Sequence, residues 1–261
     1  MNVGELELDA LAPEISALTH RASEAILEIY ATEFVVESKA DRSPVTAADT
    51  AAEAIITQGL STLTPDIPVV AEEAAAAGHT PDISAGVFWL VDPLDGTREF
   101  LSRNGEFTVN IGLIEDGVPM LGVIHIPTRN ETFVGNVRSG ATHSQGNAAP
   151  QPIRVREVPA EGLTAIASRR HGDPAEIARF LEGRKVAEQK TAGSSMKFCA
   201  VAMGEADVYP RYGRTMEWDT AAGHAILTAA GGRIVTVEGE PLAYGKPGFE
   251  NPPFIAWGSS A

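Results

Sequence analysis

Apolar residues Leu8, Leu11, Ile15, Leu18, Ala22, Ile26 and Ile29 recur at spacings of three and four, which is the stripe of one helix face. The spacing predicts an amphipathic first helix. A second helix is expected after Pro44. Thr46 is suited to cap it, Asp49 stands three residues on at capping-box spacing, and an alanine-rich run keeps the helical period to Leu63. The period then shortens. Val69 to Ala71 and Val87 to Val91 read as strands, each ending directly in acidic residues. Phe107 to Ile114 and Met120 to Ile126 read as two strands joined at Glu115-Asp116-Gly117, and Phe133 with Val134 continues the meander.

The stretch from Gly140 to Pro152 is rich in Gly, Ser, Asn, Gln and Pro, which places a division between two halves, 1–150 and 151–261. In the second half, Ile153 to Val155 and Thr164 to Ala167 read as strands. A helix around Ala175 to Leu181, another from Ser195 to Met203 and a strand at Asp207 to Tyr209 come next. A last helix from about Thr220 to Ala230 is stopped by Gly231-Gly232. Both halves mix helix and strand, so the class is α/β.

Hydrophobic residues make up 44% and charged residues 21% of the 261, as in an ordinary folded domain. The net charge of −15 argues against a nucleic-acid polymer as partner, because such binding needs a basic surface to displace counterions. Carboxylates gathered around divalent cations would contribute to that charge, and the cations could recruit an anionic substrate. Cys199 is the sole cysteine, so no internal disulfide and no thiolate metal cage can form, and a reducing compartment is expected. The N-terminal residues are acidic and lack a continuous apolar core, unlike a secretory signal. No run approaches the roughly 20 apolar residues of a membrane span.

Chemistry concentrates at Asp92-Pro93-Leu94-Asp95-Gly96-Thr97. Two carboxylates three residues apart around a rigid proline can face one hard cation, Gly96 lets backbone approach a phosphate, and Thr97 adds a hydroxyl. Taken alone, the segment also suits an Asx turn capping a helix. Glu72-Glu73, directly after a strand, is a second acidic element, and adjacent glutamates of this kind also occur on solvated loops. A third is Glu217-Trp218-Asp219-Thr220-Ala221-Ala222-Gly223 at the start of the last helix, where Asp219 could ligate a metal or serve as a helix cap. Asp49 has the same two uses.

Taken in order, Asp49, Glu72-Glu73, Asp92 to Thr97 and Trp218 to Gly223 resemble the signature of the lithium-sensitive, magnesium-dependent phosphatases of the inositol monophosphatase superfamily, over roughly Ile15 to Trp257. Two further segments, Arg103 to Gly112 and Gly193 to Ala202, the latter continuing through Arg211 to Asp219, resemble the bacterial 3′(2′),5′-bisphosphate nucleotidases of that superfamily. The resemblance implies a layered αβαβα sandwich with the site between the halves. It also implies hydrolysis of adenosine 3′,5′-bisphosphate to AMP and phosphate by metal-assisted attack of water, with two or three Mg²⁺ ions. Glu72, Asp92 and the carbonyl of Leu94 would hold one ion, and Asp92, Asp95 and Asp219 a second. A third would lie near Asp49 and Glu73. Thr97 and Asp49 would orient or deprotonate the water, with Glu72 beside them. Gly96 and Thr97 would seat the phosphate, and His171, Ser194, Lys197, Arg211 and Asp219 would contact the rest of the nucleotide. Inositol monophosphate is the rival substrate, and a catalytically silent metal- or nucleotide-binding regulator is the reading from another class. A small-molecule partner, a monomer or homodimer, and a cytoplasmic location, free or peripheral at the inner membrane, complete the expectation.

Overall fold

A computed structural model describes residues 7–33, 36–38, 44–169 and 174–259. The two leading helices form as the spacing predicts: α1 spans Leu8–Tyr30, and α2 spans Ala47–Leu63 behind a short ribbon of β1 (Val36–Ser38) and β2 (Pro44–Thr46). A seven-stranded sheet follows. Its strands are β3 (Val69–Ala71), β4 (Val87–Asp95), β5 (Thr108–Glu115), β6 (Val118–Ile126), β7 (Glu131–Asn136), β8 (Gly140–Gln145) and β9 (Gln151–Ile153), lying side by side in chain order. Helix α3 (Glu72–Ala76) sits between β3 and β4, and α4 (Thr97–Leu101) between β4 and β5. In this sheet, among the described residues, only the β3–β4 pair is parallel, because α3 lies in the crossover that parallel strands need. At the β5–β6 turn Asp116 (φ 49°) and Gly117 (φ 79°) are both left-handed, the geometry of a two-residue type I′ hairpin.

A second sheet is built from β10 (Leu163–Ser168), β11 (Val186–Ala192), β12 (Val208–Arg211), β14 (Arg233–Thr236) and β16 (Phe254–Trp257), in the order β11-β10-β12-β16-β14. Strands β10, β11 and β12 run parallel and are linked through α5 (Pro174–Leu181) and α6 (Met196–Ala202). Helix α7 (Glu217–Ala229) leaves a small ribbon formed by β13 (Thr215–Met216) and β15 (Glu250–Asn251).

Three cores hold five layers. Alternate residues of the first sheet, among them Trp89, Val91, Ile111 and Val123, pack under α1 and α2. The opposite face, with Phe88, Leu90 and Ile124, meets α6, α7 and the inner face of the second sheet through Tyr209, Ile234 and Phe254. The outer face of that sheet, with Leu163, Val208 and Ile255, is covered by Ile177, Phe180 and Leu181 of α5. The order is therefore αβαβα, as expected.

Three local expectations are corrected. Gly140 to Pro152 is not a connecting loop: β8 and β9 lie within it, paired to the first sheet. Residue Ile153 pairs back to Ala141 in the same sheet instead of opening the second half. The last helix starts at Glu217, three residues before Thr220, because the Asp219 carboxylate caps the Met216 amide and pulls the first turn back.

Candidate active site

Each acidic residue is placed by an element end. At the start of α2 the expected capping box is formed, with Asp49 Oδ2 accepting from the Thr46 amide at 2.7 Å and from its hydroxyl at 2.7 Å. The other oxygen, Oδ1, accepts from the Thr97 hydroxyl at 3.2 Å, 48 residues away. Capping and site-building are thus one function here. One turn along α2, Glu53 accepts from the amides of Glu73 (2.7 Å) and Ala74 (2.9 Å), which satisfies the exposed donors of the short α3 and fixes Glu72-Glu73 at the end of β3.

Strand β4 does not end in a free turn. It carries Asp92 and Asp95 on either side of a bulge at Pro93-Leu94, with Asp92 opposite Asn110 and Asp95 opposite Thr108. The Asx turn is present, since Asp92 Oδ1 accepts from the Leu94 amide at 3.0 Å. Gly96 then adopts φ 93°, a left-handed conformation, and α4 begins at Thr97. A side chain there would have to fit within 3.1 Å of the Glu106 carbonyl oxygen and 3.3 Å of Ser194 Cβ.

The second sheet contributes the opposing wall. Ser195 donates to Asn110 Oδ1 at 2.7 Å and shares a 2.7 Å bond with the Thr108 hydroxyl, which ties the α6 start to β5. The Gly193 amide donates to Glu106 Oε2 at 2.8 Å, and Arg169 pairs with the same carboxylate at 2.7 Å. Lys197 is 3% exposed and its Nζ donates to the carbonyls of Ala192 and Ser194. Arg211, 7% exposed at the end of β12, donates to the carbonyls of Gly213 (3.1 Å) and Arg214 (2.8 Å).

These walls enclose a cavity of about 760 Å³. Of the expected residues, Glu72, Asp95, Gly96, Thr97, Ser194, Lys197, Arg211 and Asp219 line it. Asp49, Asp92 and Leu94 are buried behind it, and Asp49 reaches it through Thr97. His171 lies outside the described residues. Glu53, Asn110, Ser195 and Glu106 were not singled out for the site from sequence. Glu53 had one available signal, its position one helical turn after Asp49 on α2.

The electrostatics are those of a site short of positive charge. Burial, then the charges of Glu72, Asp95 and Asp219, hold the Asp92 carboxyl well above the usual range. Burial raises Asp95 to about 6, opposed by Lys197 and by hydrogen bonds from Asn110 and the Ser195 backbone. Asp219 is raised to about 8 by burial, with Asp95 and Glu72 adding to it. Lys197 is lowered to about 8, also chiefly by burial. Among the described residues no three acidic, His or Cys side chains close into a finished metal cage. The donor set nevertheless fits a hard divalent cation, since it consists of mutually repelling carboxylates and a carbonyl, and added positive charge would relieve their cost of ionisation.

Comparison with known proteins agrees with this geometry. The model of the inositol monophosphatase family matches residues 7–257. The 3′(2′),5′-bisphosphate nucleotidase CysQ of Escherichia coli O157:H7 is 44% identical over 244 residues, covering 92% of this chain and 97% of that one. The CysQ of Buchnera aphidicola is 42% identical over 88% of this chain and 86% of its own. Among solved structures, CysQ from Bacteroides thetaiotaomicron superposes with a TM-score of 0.83 at 36% identity, covering 98% of this chain and 100% of that one. Inositol monophosphatase from Anabaena superposes with a TM-score of 0.77 at 26% identity, over 97% of this chain and 92% of its own. A matching family model across nearly the whole chain, the five-layer fold and the ordered acidic elements lead to one conclusion: the chain belongs to the inositol monophosphatase family.

Proposed function

We propose that the chain is a magnesium-dependent 3′(2′),5′-bisphosphate nucleotidase that hydrolyses adenosine 3′,5′-bisphosphate to AMP and phosphate. The observation that carries this reading is that two buried cations, Lys197 and Arg211, line the same cavity as Asp95 and Asp219. A monoester needs a single anion seat, whereas a bisphosphate needs two. The likeness to the CysQ nucleotidases over most of the chain supports the same substrate.

Glu72, Asp92 and the Leu94 carbonyl would hold one Mg²⁺, and Asp92, Asp95 and Asp219 a second; a third would lie near Asp49 and Glu73. When bound, magnesium neutralises phosphate charge and eases deprotonation of water. The chain's own groups do the rest. The amides of Gly96 and Thr97 seat the ester phosphate at the start of α4. Thr97 Oγ1 donates to Asp49 Oδ1, so its lone pairs are left to accept a proton from the attacking water, and Asp49 receives the proton that Thr97 passes on. Lys197, Arg211 and Ser194 hold the second phosphate, with His171 assigned to the same group by resemblance. The first half of the chain thus supplies most metal ligands, and the second half supplies Asp219 and the substrate contacts. The substrate is a soluble small molecule, and the buried thiol of Cys199 goes with a reducing, cytoplasmic setting.

The test is phosphate release with and without Mg²⁺ from adenosine 3′,5′-bisphosphate and inositol 1-phosphate side by side. A large preference in kcat/KM for the nucleotide is expected. Preference for the inositol ester would overturn the substrate, and release from neither would favour a silent binder.

A further inference from the structure

One wall of the cavity has no part in phosphate chemistry. It is lined by Trp218 and Phe249, whose ring centroids are 6.1 Å apart, with Met216 and Thr215 beside them. Two features mark this wall as built for a ligand. Thr215 is 6% exposed, lines the cavity, and its Oγ1 is buried without a hydrogen-bond partner among the described residues. An unmatched buried hydroxyl costs about 1–3 kcal/mol, so its position calls for a partner that arrives. Phe249 is half-buried and holds φ 55°, a left-handed conformation that is an outlier for a bulky side chain.

Both residues are tied to one ribbon. Thr215 pairs with Asn251 and Met216 with Glu250, and Phe249 immediately precedes the paired Glu250. Asn251 donates to the Met216 carbonyl at 2.9 Å and to Thr220 Oγ1 at 3.0 Å. Glu217, fully buried, accepts from the amides of Gly245 (2.7 Å) and Lys246 (2.9 Å) and pairs with Lys246 Nζ at 2.7 Å. The loop that carries Phe249 is therefore fastened to the first turn of α7, the turn that carries Asp219.

We propose that Thr215 and Phe249 form the nucleoside subsite: the base lies against the Phe249 ring beside Trp218, and Thr215 Oγ1 hydrogen-bonds a polar edge of the nucleoside. This inference rests on the nucleotidase reading and adds the residues that select a nucleoside over a polyol. Among the lining residues the carboxylates suit metal and Lys197 with Arg211 suit phosphate, so the neighbouring aromatic rings are left for a flat, apolar-faced group.

KM and kcat are to be measured at saturating Mg²⁺ for adenosine 3′,5′-bisphosphate and inositol 1-phosphate with the wild type, Phe249→Ala, Phe249→Leu, Thr215→Val and Thr215→Ser. Base–aromatic stacking at its usual strength predicts a rise of about tenfold in KM for the nucleotide in Phe249→Ala, with the KM ratio between the two substrates moving by the same factor. Phe249→Leu keeps apolar bulk without the aromatic face and should show a smaller part of that rise. Thr215→Val should raise the nucleotide KM about fivefold, the scale of one hydrogen bond, and Thr215→Ser should restore it. Equal effects on both substrates, or none on either, in variants that melt like the wild type would overturn the subsite. A wild type without nucleotide turnover would overturn the nucleotidase reading itself and this inference with it.

Discussion

Lys197 shows what a single side chain must do at this site. An ammonium group 3% exposed has lost most of its water, and two backbone carbonyls replace only part of that solvation. A phosphate oxygen would complete it. Lys197→Ala should therefore lower kcat/KM for adenosine 3′,5′-bisphosphate by about tenfold or more, the scale of a hydrogen bond between charged groups, and inositol 1-phosphate turnover by much less. A matching loss on both esters would remove Lys197 from second-phosphate recognition. Residues away from the cavity set a different dependence. His224 is lowered to about 4 by burial, and its Nδ1 lies 3.1 Å from the Tyr244 hydroxyl; His125 is lowered to about 3 by burial and the neighbouring His20. A histidine depressed in the folded state binds its proton more readily when unfolded. Its contribution to stability is thus complete above pH ~6.5 and is lost as pH falls toward the folded value. At pH ~5 the cost is about 2 kcal/mol for each. The raised carboxyls of Asp95 and Asp219 act with the opposite sign, because the folded state then holds protons more tightly than the unfolded chain. The informative quantity is the difference between wild type and His224→Gln: the urea midpoint of the variant should fall less between pH 7 and pH 5. Identical pH dependence in the two would show that His224 is not buried neutral.

At the scale of elements, α7 lies against the first sheet on a floor of glycines. Gly112, Gly122 and Gly135 are cross-strand neighbours on β5, β6 and β7. A Cβ at Gly122 would come within 2.3 Å of the Ala222 carbonyl oxygen, and one at Gly135 within 2.2 Å of Ile226 Cα. Both obstacles are backbone, so neither can swing aside. Gly135→Ala should cost about 3 kcal/mol, read as a lower denaturant midpoint, and should reduce turnover as well because the same helix carries Asp219. Full stability in this variant would mean that the helix can ride up without loss. Elements of this kind were unevenly legible in the sequence. The stripe of α1, the capping box of α2 and the Asp116-Gly117 hairpin are local, and each formed where its residues stand. Strand β8 was hidden because its Gly, Ser and Gln residues resemble a connection while its ladder partners lie in β7 and β9. Strand β11, Val-Ala-Glu-Gln-Lys-Thr-Ala, is a largely exposed edge and gives no hydrophobic alternation to read.

The whole molecule decides where charge accumulates. Asp49, Glu72, Asp92 and Asp95 come from elements at one end of the first sheet, and Asp219 is brought to them by α7 after the chain has built most of the second sheet. The order of these acids along the chain made the acidic part of the candidate site legible. The clamps that position it were not: Glu53 on the α3 amides, Glu106 on Gly193 and Arg169, and the β13–β15 ribbon are pairings between distant segments. The acids also oppose folding, since burial and mutual repulsion raise the carboxyls of Asp92, Asp95 and Asp219 together. A ligand that binds only the folded chain adds about 2.7 kcal/mol at a hundredfold excess over its Kd. Magnesium should therefore raise the melting temperature of the wild type, progressively with concentration, in the absence of any substrate. Asp219→Asn removes one of the repelling carboxyls and one proposed ligand at once. It should melt at or above the wild-type temperature without Mg²⁺ and gain much less when Mg²⁺ is added, with turnover lost. Calorimetry across a Mg²⁺ series for both proteins separates the two effects. Equal gains in wild type and variant would place the stabilising cation away from Asp219, whereas a wild type indifferent to Mg²⁺ would mean that the carboxylates are balanced by the chain's own cations, Lys197 and Arg211.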